Sequence, residues 1–226
     1  MQDFTLAVHY LRQIAEQLSA MGADVPAWLQ RSGLSEAQLS EPSFKLDFPG
    51  FCRLIEDALA TTGEAALGLL VGERLLVNSH GIVGFAALQS GSARQAIQLL
   101  ERYFGVRTSL VAISLREDGA LVHIVFTPNY PLGTIQRSVL EAVVLAIKYV
   151  FDAVSLGSTG VTRVSFPFAR PDYAGLAAEM LRCEVVYDAG WTGFSLPLEL
   201  LDQPLKMADP ASFRDAELIC QRELDK

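Results

Sequence analysis

Apolar positions in the first hundred residues recur with a helical period. Ala7, Leu11, Ile14, Leu18 and Met21 lie four, three, four and three apart, one stripe along a helix that Gly22 ends. Pro26, near a first helical position, and Gly33, past the last, bound a short helix over residues 25–31. Asp47, just ahead of Phe48-Pro49, is placed to cap a helix running to Thr62, and Gly63 separates it from another over 64–76. Residues 78–90 read as a loop and a short helix. Ser92 then caps a helix whose buried face is Ala93, Ala96, Ile97, Leu100, Tyr103 and Phe104.

Near residue 106 the pattern changes. Segments 109–115 and 120–126 are rich in branched residues and flank Glu117-Asp118-Gly119, a hairpin signal, because Asp-Gly supplies positive backbone angles. A long helix over 132–154, a strand over 161–166 and a helix over 173–182 follow. Segments 183–187 and 192–196 predict a second hairpin around Asp188-Ala189-Gly190. The order strand, strand, helix, strand, helix, strand, strand (β-β-α-β-α-β-β) suits a mainly antiparallel sheet with helices on one face. The fold class is therefore α+β: a helical part over 1–105 packed on an α+β part over 106–209, with 210–226 as a linker helix.

Helix 132–154 is apolar nearly all round, through residues such as Ile135, Val139, Leu140, Val144 and Ile147. Glu141 and Lys148 interrupt it, so it reads as a buried helix and not a membrane span. Half of the 226 residues are apolar and 19% are charged, enough to bury a sizeable core. The positive mean hydropathy fits a large core, a lined cavity or a subunit interface. A net charge of −8, with 18 scattered basic residues, argues against nucleic-acid binding by this chain. Cys52, Cys183 and Cys220 are far apart and odd in number, and the start, Met1 to Phe4, has no signal-peptide character; both point to reduced thiols in the cytoplasm.

Catalytic and phosphate-binding signatures are missing, and the Gly68/Gly72 pair reads as a close helix approach. His9 reads as a surface or satisfied core residue, His123 as mid-strand packing. Ser79-His80 resembles a nucleophile and base only on paper, because adjacent side chains rarely face one another and no orienting acid is evident. Glu56-Asp57 is a solvated helix face. Neither a metal nor a cofactor is expected, and the chain is not expected to be an enzyme.

The stretch Leu67-Gly-Leu-Leu-Val-Gly72, His80-Gly-Ile-Val-Gly-Phe85, Ser90-Gly-Ser92 and Ala96 to Tyr103 resembles the N-terminal sensor domain of one branch of AraC/XylS transcription regulators, the arabinose-binding-like type. The ending, Gly193-Phe-Ser-Leu-Pro197 followed by Gln203-Pro-Leu205 and Ala208-Asp-Pro210, is similar to that family's last strand and exit. The resemblance implies a bacterial cytoplasmic regulator whose sensor binds a small organic effector and dimerises. It implies DNA contact only through a C-terminal pair of helix-turn-helix motifs. This chain stops at Lys226, where that domain should begin, so no DNA affinity of its own is expected.

The effector is expected at the junction of the helical part and the sheet. The candidate effector-binding residues are His80, Phe85, Gln89, Tyr103 and Tyr130, with Arg102 and Arg137 as carboxylate partners. The apolar composition favours a largely apolar effector with one polar head, such as a fatty-acid-like or aromatic acid. A homodimer is the expected state, its contact near the C-terminal helices, and no membrane partner is expected. Two alternatives stay open: a ligand-free, constitutive dimerisation module, and a small-molecule enzyme with unfamiliar motifs.

Overall fold

A computed structural model describes residues 4–157 and 160–226; residues 1–3 and 158–159, at the start of the helical part and within the α+β part, lie outside it. The helical part contains α1 (Val8–Ala20), α2 (Val25–Arg31), α3 (Glu36–Ser40), α4 (Phe48–Thr62), α5 (Leu67–Arg74), α6 (Gly81–Leu88) and α7 (Ala93–Tyr103), with a 3₁₀ turn, Val77–His80, before α6. The expected stripe buries Leu11, Ile14 and Leu18 in α1, joined by Tyr10. Asp24, Asp47 and Ser92 each accept a backbone N–H of the helix that follows, satisfying donors a helix start leaves free. Two boundaries differ from expectation. Helix α5 starts at Leu67 because the Glu64 carboxylate accepts from Ala66 N–H, placing Glu64 ahead of the helix. Helix α3 was not anticipated; Ser35 N–H donates to Gln38 Oε1 at 2.8 Å, half of a capping box.

The α+β part comprises β1 (Val111–Asp118), β2 (Leu121–Pro128), α8 (Gln136–Val154), β3 (Arg163–Ser165), α9 (Ala174–Leu181), β4 (Glu184–Val186) and β5 (Gly193–Pro197), before α10 (Pro210–Leu224). Strands β1 and β2 form the expected hairpin. Its two-residue loop is Gly119-Ala120, and only Gly119 takes positive φ (61°), as the first central residue of a II′ turn requires. The second expected hairpin does not form. The sheet order is β1-β2-β5-β3-β4, so β3 separates β4 from β5. Backbone pairing explains the difference. Asp188 and Ala189 donate to Phe168 and Phe166, holding the 188–190 segment against the exit of β3 instead of turning it back on β4. Strand β4 runs parallel to β3 after the α9 crossover, while the other three pairings are antiparallel.

One sheet face is buried through Ile113, Val122, Ile124, Phe126, Phe194 and Leu196. Helix α7 lies along β1, and Phe151 of α8 packs edge-on against Phe194 with ring centres 5.4 Å apart. The other face carries Arg116, His123, Ser195 and Arg163 in register across four strands. The buried side chains of both parts form one continuous cluster. No helix among the described residues is long and apolar enough to cross a membrane.

Helix α5 lies close against α8. A Cβ added at Gly68 would collide with the Ser138 backbone, and one at Gly72 would lie 2.9 Å from the Ala142 carbonyl oxygen. The two glycines bring the helix backbones together, as their spacing suggested. That contact also sets one wall of the cavity described next.

Candidate functional site

An apolar cavity of about 80 Å³ lies where the helical part meets α8. A buried water needs roughly 10–15 Å³ on this measure, so the space exceeds a single-water void severalfold. Helix α1 contributes Tyr10 and Ile14, α4 contributes Phe51 and Ile55, and α5 contributes Leu67 and Val71. Helix α8 closes the far side with Val139, Val143 and Ala146, and Phe104 and Leu110 form the floor toward β1. The lining contains no aspartate or glutamate; its polar members are Tyr10, His80, Thr108 and Ser138.

Tyr10 and His80 line one edge of the cavity, where their polar atoms are turned to one another. The Tyr10 hydroxyl lies 2.8 Å from His80 Nδ1, and both side chains are buried. Burial pushes the Tyr10 phenol up to about 12 and the His80 imidazole down to about 4, with the Arg107 cation adding to the second effect. Both rings are therefore neutral at neutral pH. The Leu75 carbonyl acts in the opposite direction on His80 but offers Nε2 no bond of normal geometry, and that nitrogen is buried without a partner. A buried donor or acceptor left unmade costs about 1–3 kcal/mol. The Arg107 guanidinium sits over the Tyr10 ring, 5.6 Å from its centre, and donates to the Ser79 carbonyl at 3.2 Å.

Of the residues singled out in the sequence, His80 lines this cavity and the rest lie elsewhere. Phe85 is 46% exposed on α6. Gln89 is half-buried and its carbonyl accepts from Asp209 N–H. Arg102 and Tyr103 come together on α10, both donating to Gln221 Oε1, at 2.8 and 3.2 Å. Tyr130 stacks on Phe48 at 4.6 Å and packs edge-on to Phe4, which in turn touches Phe51; it is one aromatic layer behind the cavity wall. Arg137 lies over the Phe168 ring, 5.3 Å from its centre. His123 pairs with Ser195 Oγ at 2.8 Å and packs edge-on to Trp191, on the opposite side of the sheet from the core.

The residues not singled out are Tyr10, Arg107, Thr108 and Ser138. Tyr10 and Ile14 are four apart, so an i, i+4 reading of α1 places both on one face. Ser138 is one of several polar positions in α8 and carried no signal of its own. Arg107 carried no periodic signal.

The other side of α8 is charged. Glu141 is fully buried and accepts from the Tyr173 hydroxyl through both oxygens, at 3.0 and 3.1 Å. Burial raises its carboxyl to about 7 against the opposing pull of Tyr173 and Arg137. Lys148, also buried, donates to both carboxylate oxygens of Asp152.

A family model described as the arabinose-binding domain of AraC transcription regulators, N-terminal, matches residues 22–205. The chain is 28% identical over 215 residues to the ornithine utilization regulator of Pseudomonas aeruginosa, covering 95% of this chain and 63% of that protein. It is 26% identical over 214 residues to an uncharacterized HTH-type transcriptional regulator of Mycobacterium tuberculosis, covering 90% and 60%. Its fold matches the crystal structure of the transcriptional regulator CdpR from Pseudomonas aeruginosa with a TM-score of 0.67 at 20% identity, over 95% of this chain and 65% of that one. The chain thus spans less than two thirds of the length of each of these proteins.

Proposed function

The chain belongs to the family of N-terminal arabinose-binding domains of AraC transcription regulators, and from that membership we propose that it senses a small, largely apolar organic effector in the cavity between α1, α4, α5 and α8. Its named relatives are transcription regulators and none is an enzyme, so the cavity is read as a regulatory site. The observation that carries the proposal is the cavity itself. An apolar void of about 80 Å³ between two packed layers forfeits contacts that a well-packed structural module would make. The apolar body of a fatty-acid-like or aromatic effector suits a wall that presents aliphatic and aromatic carbon. The relative named for ornithine utilization suggests a charged amino acid instead, but this lining holds no carboxylate to receive its ammonium groups.

The sensor acts through linkage: an effector that prefers one arrangement of the domain shifts the population toward it. We place a second copy of the chain on the outward side of α10, where Leu218 and Ile219 are 57% and 42% exposed. DNA is reached through a separate helix-turn-helix domain, and the net charge of −8 on this chain agrees with that division. Native mass spectrometry of the purified chain tests both halves of the proposal. It should report a dimer, and a co-purified small acid or uptake of an added one. A monomer that takes up no apolar ligand would defeat it.

A further inference from the structure

The wall of the cavity is carbon throughout. Tyr10, His80, Thr108 and Ser138 belong to it, yet none of them turns a polar atom to the void. The first two face one another across 2.8 Å, and Thr108 Oγ1 accepts from the Leu110 N–H at 3.2 Å. The nearby cation, Arg107, stays outside the lining, over the Tyr10 ring and on the Ser79 carbonyl. An ion placed in such a space loses its hydration and gains no partner, a cost that apolar contact does not recover. A weak acid or base sheds its charge instead. Size narrows the choice further. The void of about 80 Å³ is near half the roughly 150 Å³ at which an apolar protein cavity takes up benzene, so it encloses about three or four carbons. Of its lining residues, Ala142 and Val143 are half-buried and the others are buried. A head group on so short a chain therefore stands among buried carbon and not in open water.

Taking the cavity as the effector site, we infer that it admits only uncharged ligands: short aliphatic molecules enter as the neutral alcohol or the protonated acid, and carboxylate and ammonium forms are excluded. An acid that binds must then take its proton from solution. The titratable groups of the lining, Tyr10 and His80, are paired with one another and stay neutral across the neutral range, so neither supplies that proton nor changes charge beside the ligand. The same exclusion turns away a free amino acid, whose zwitterion carries both charges.

The test titrates butan-1-ol, butanoate and butylamine calorimetrically into the full chain on either side of neutral pH, with xenon, followed by its ¹²⁹Xe shift, as a probe of the void alone. Butan-1-ol should bind with one affinity throughout, and at neutral pH about tenfold or more tighter than either charged probe. Butanoate should tighten about tenfold for each unit the pH falls, as its neutral fraction rises, and take up a proton on binding. Butylamine should tighten by about the same factor for each unit the pH rises. Ala146→Leu, which fills the void from α8, should abolish butan-1-ol binding and xenon uptake with the urea midpoint unchanged or raised. Val143→Leu, at the half-buried edge, serves as the second variant should Ala146→Leu fail to fold. Butan-1-ol and butanoate binding equally at every pH, and both stopped by the filling variants, overturns the exclusion of charge and leaves the cavity reading standing. No xenon uptake and no probe bound at millimolar concentration, or binding that survives both substitutions, overturns both.

Discussion

The two sides of α8 are built on opposite terms. Toward α1, α4 and α5 it presents Val139, Val143 and Ala146 to a void. Toward α9 and β4 it buries an acid and a base, Glu141 and Lys148, each held by a protein partner. On the charged side Glu141 and Lys148 both have protein partners, although the Tyr187 hydroxyl beside Glu141 is buried without one. On the apolar side no acid or base lines the void except His80, a neutral imidazole paired with Tyr10. Unpaired buried polar atoms occur on both sides, at His80 and at Tyr187, so the void and not the unpaired atom distinguishes the two. Buried polarity alone does not locate a site.

The largest expected effect breaks the apolar side mechanically. Gly68→Ala drives a methyl into the Ser138 backbone and pushes α5 off α8. Overpacking against backbone should destabilise by about 3 kcal/mol, read as a lower urea midpoint with the slope preserved. A loss under about 0.5 kcal/mol would mean that the helix contact yields freely.

Next in size is a pair of opposite pH dependences. Glu141 has its carboxyl raised from 4.5 to about 7, so the folded chain binds that proton more tightly than the unfolded one. It therefore contributes stability at low pH that is lost as pH rises between those values. His80 is lowered from 6.5 to about 4, so the unfolded chain protonates first and stability is lost as pH falls from 6.5 toward 4. The two slopes oppose one another where the windows overlap. Glu141→Gln should expose the histidine slope, with stability falling on the order of 2 kcal/mol from about pH 8 to about pH 5. His80→Phe should expose the other, with stability rising by a similar amount over the same range. The wild-type curve should be flatter than either. Three parallel curves from chemical denaturation would remove the contrast between the two sides.

The smallest effect is expected outside both regions. Arg102 pairs with Gln221 at the surface, so Arg102→Gln should change stability by less than about 0.5 kcal/mol and leave butan-1-ol binding as it was. A loss above about 1 kcal/mol would mean that the α7–α10 seam holds the fold more firmly than a surface pair does.

Most elements were legible because their signals are local. The α1 stripe, the Asp47 and Ser92 caps, the Gly119 turn and the helix–glycine contact at Gly68 each depend on residues a few positions apart. The Ser35/Gln38 box is equally local, but the five-residue helix it opens is too short to show an apolar period. The second hairpin misled because Asp188-Ala189-Gly190 has turn composition, while its backbone bonds go to Phe166 and Phe168 about twenty residues earlier. Among the site residues, His80 was found through its glycine-flanked loop. Arg107, on an irregular stretch between α7 and β1, has no spacing that would mark it.

The sequence by itself determined the periodicities, caps and turns, and its motifs pointed to the family, since each is written within a short window of chain. Only the tertiary structure decided which strand β5 would pair with, which side of α8 would face a void, and that Tyr10, His80 and Arg107 would meet. Tyr10 and His80 are seventy positions apart, and nothing local couples them. Their contact exists because α1 packs on α5 while the turn before α6 packs on α8, and the burial of everything around them brings the two together.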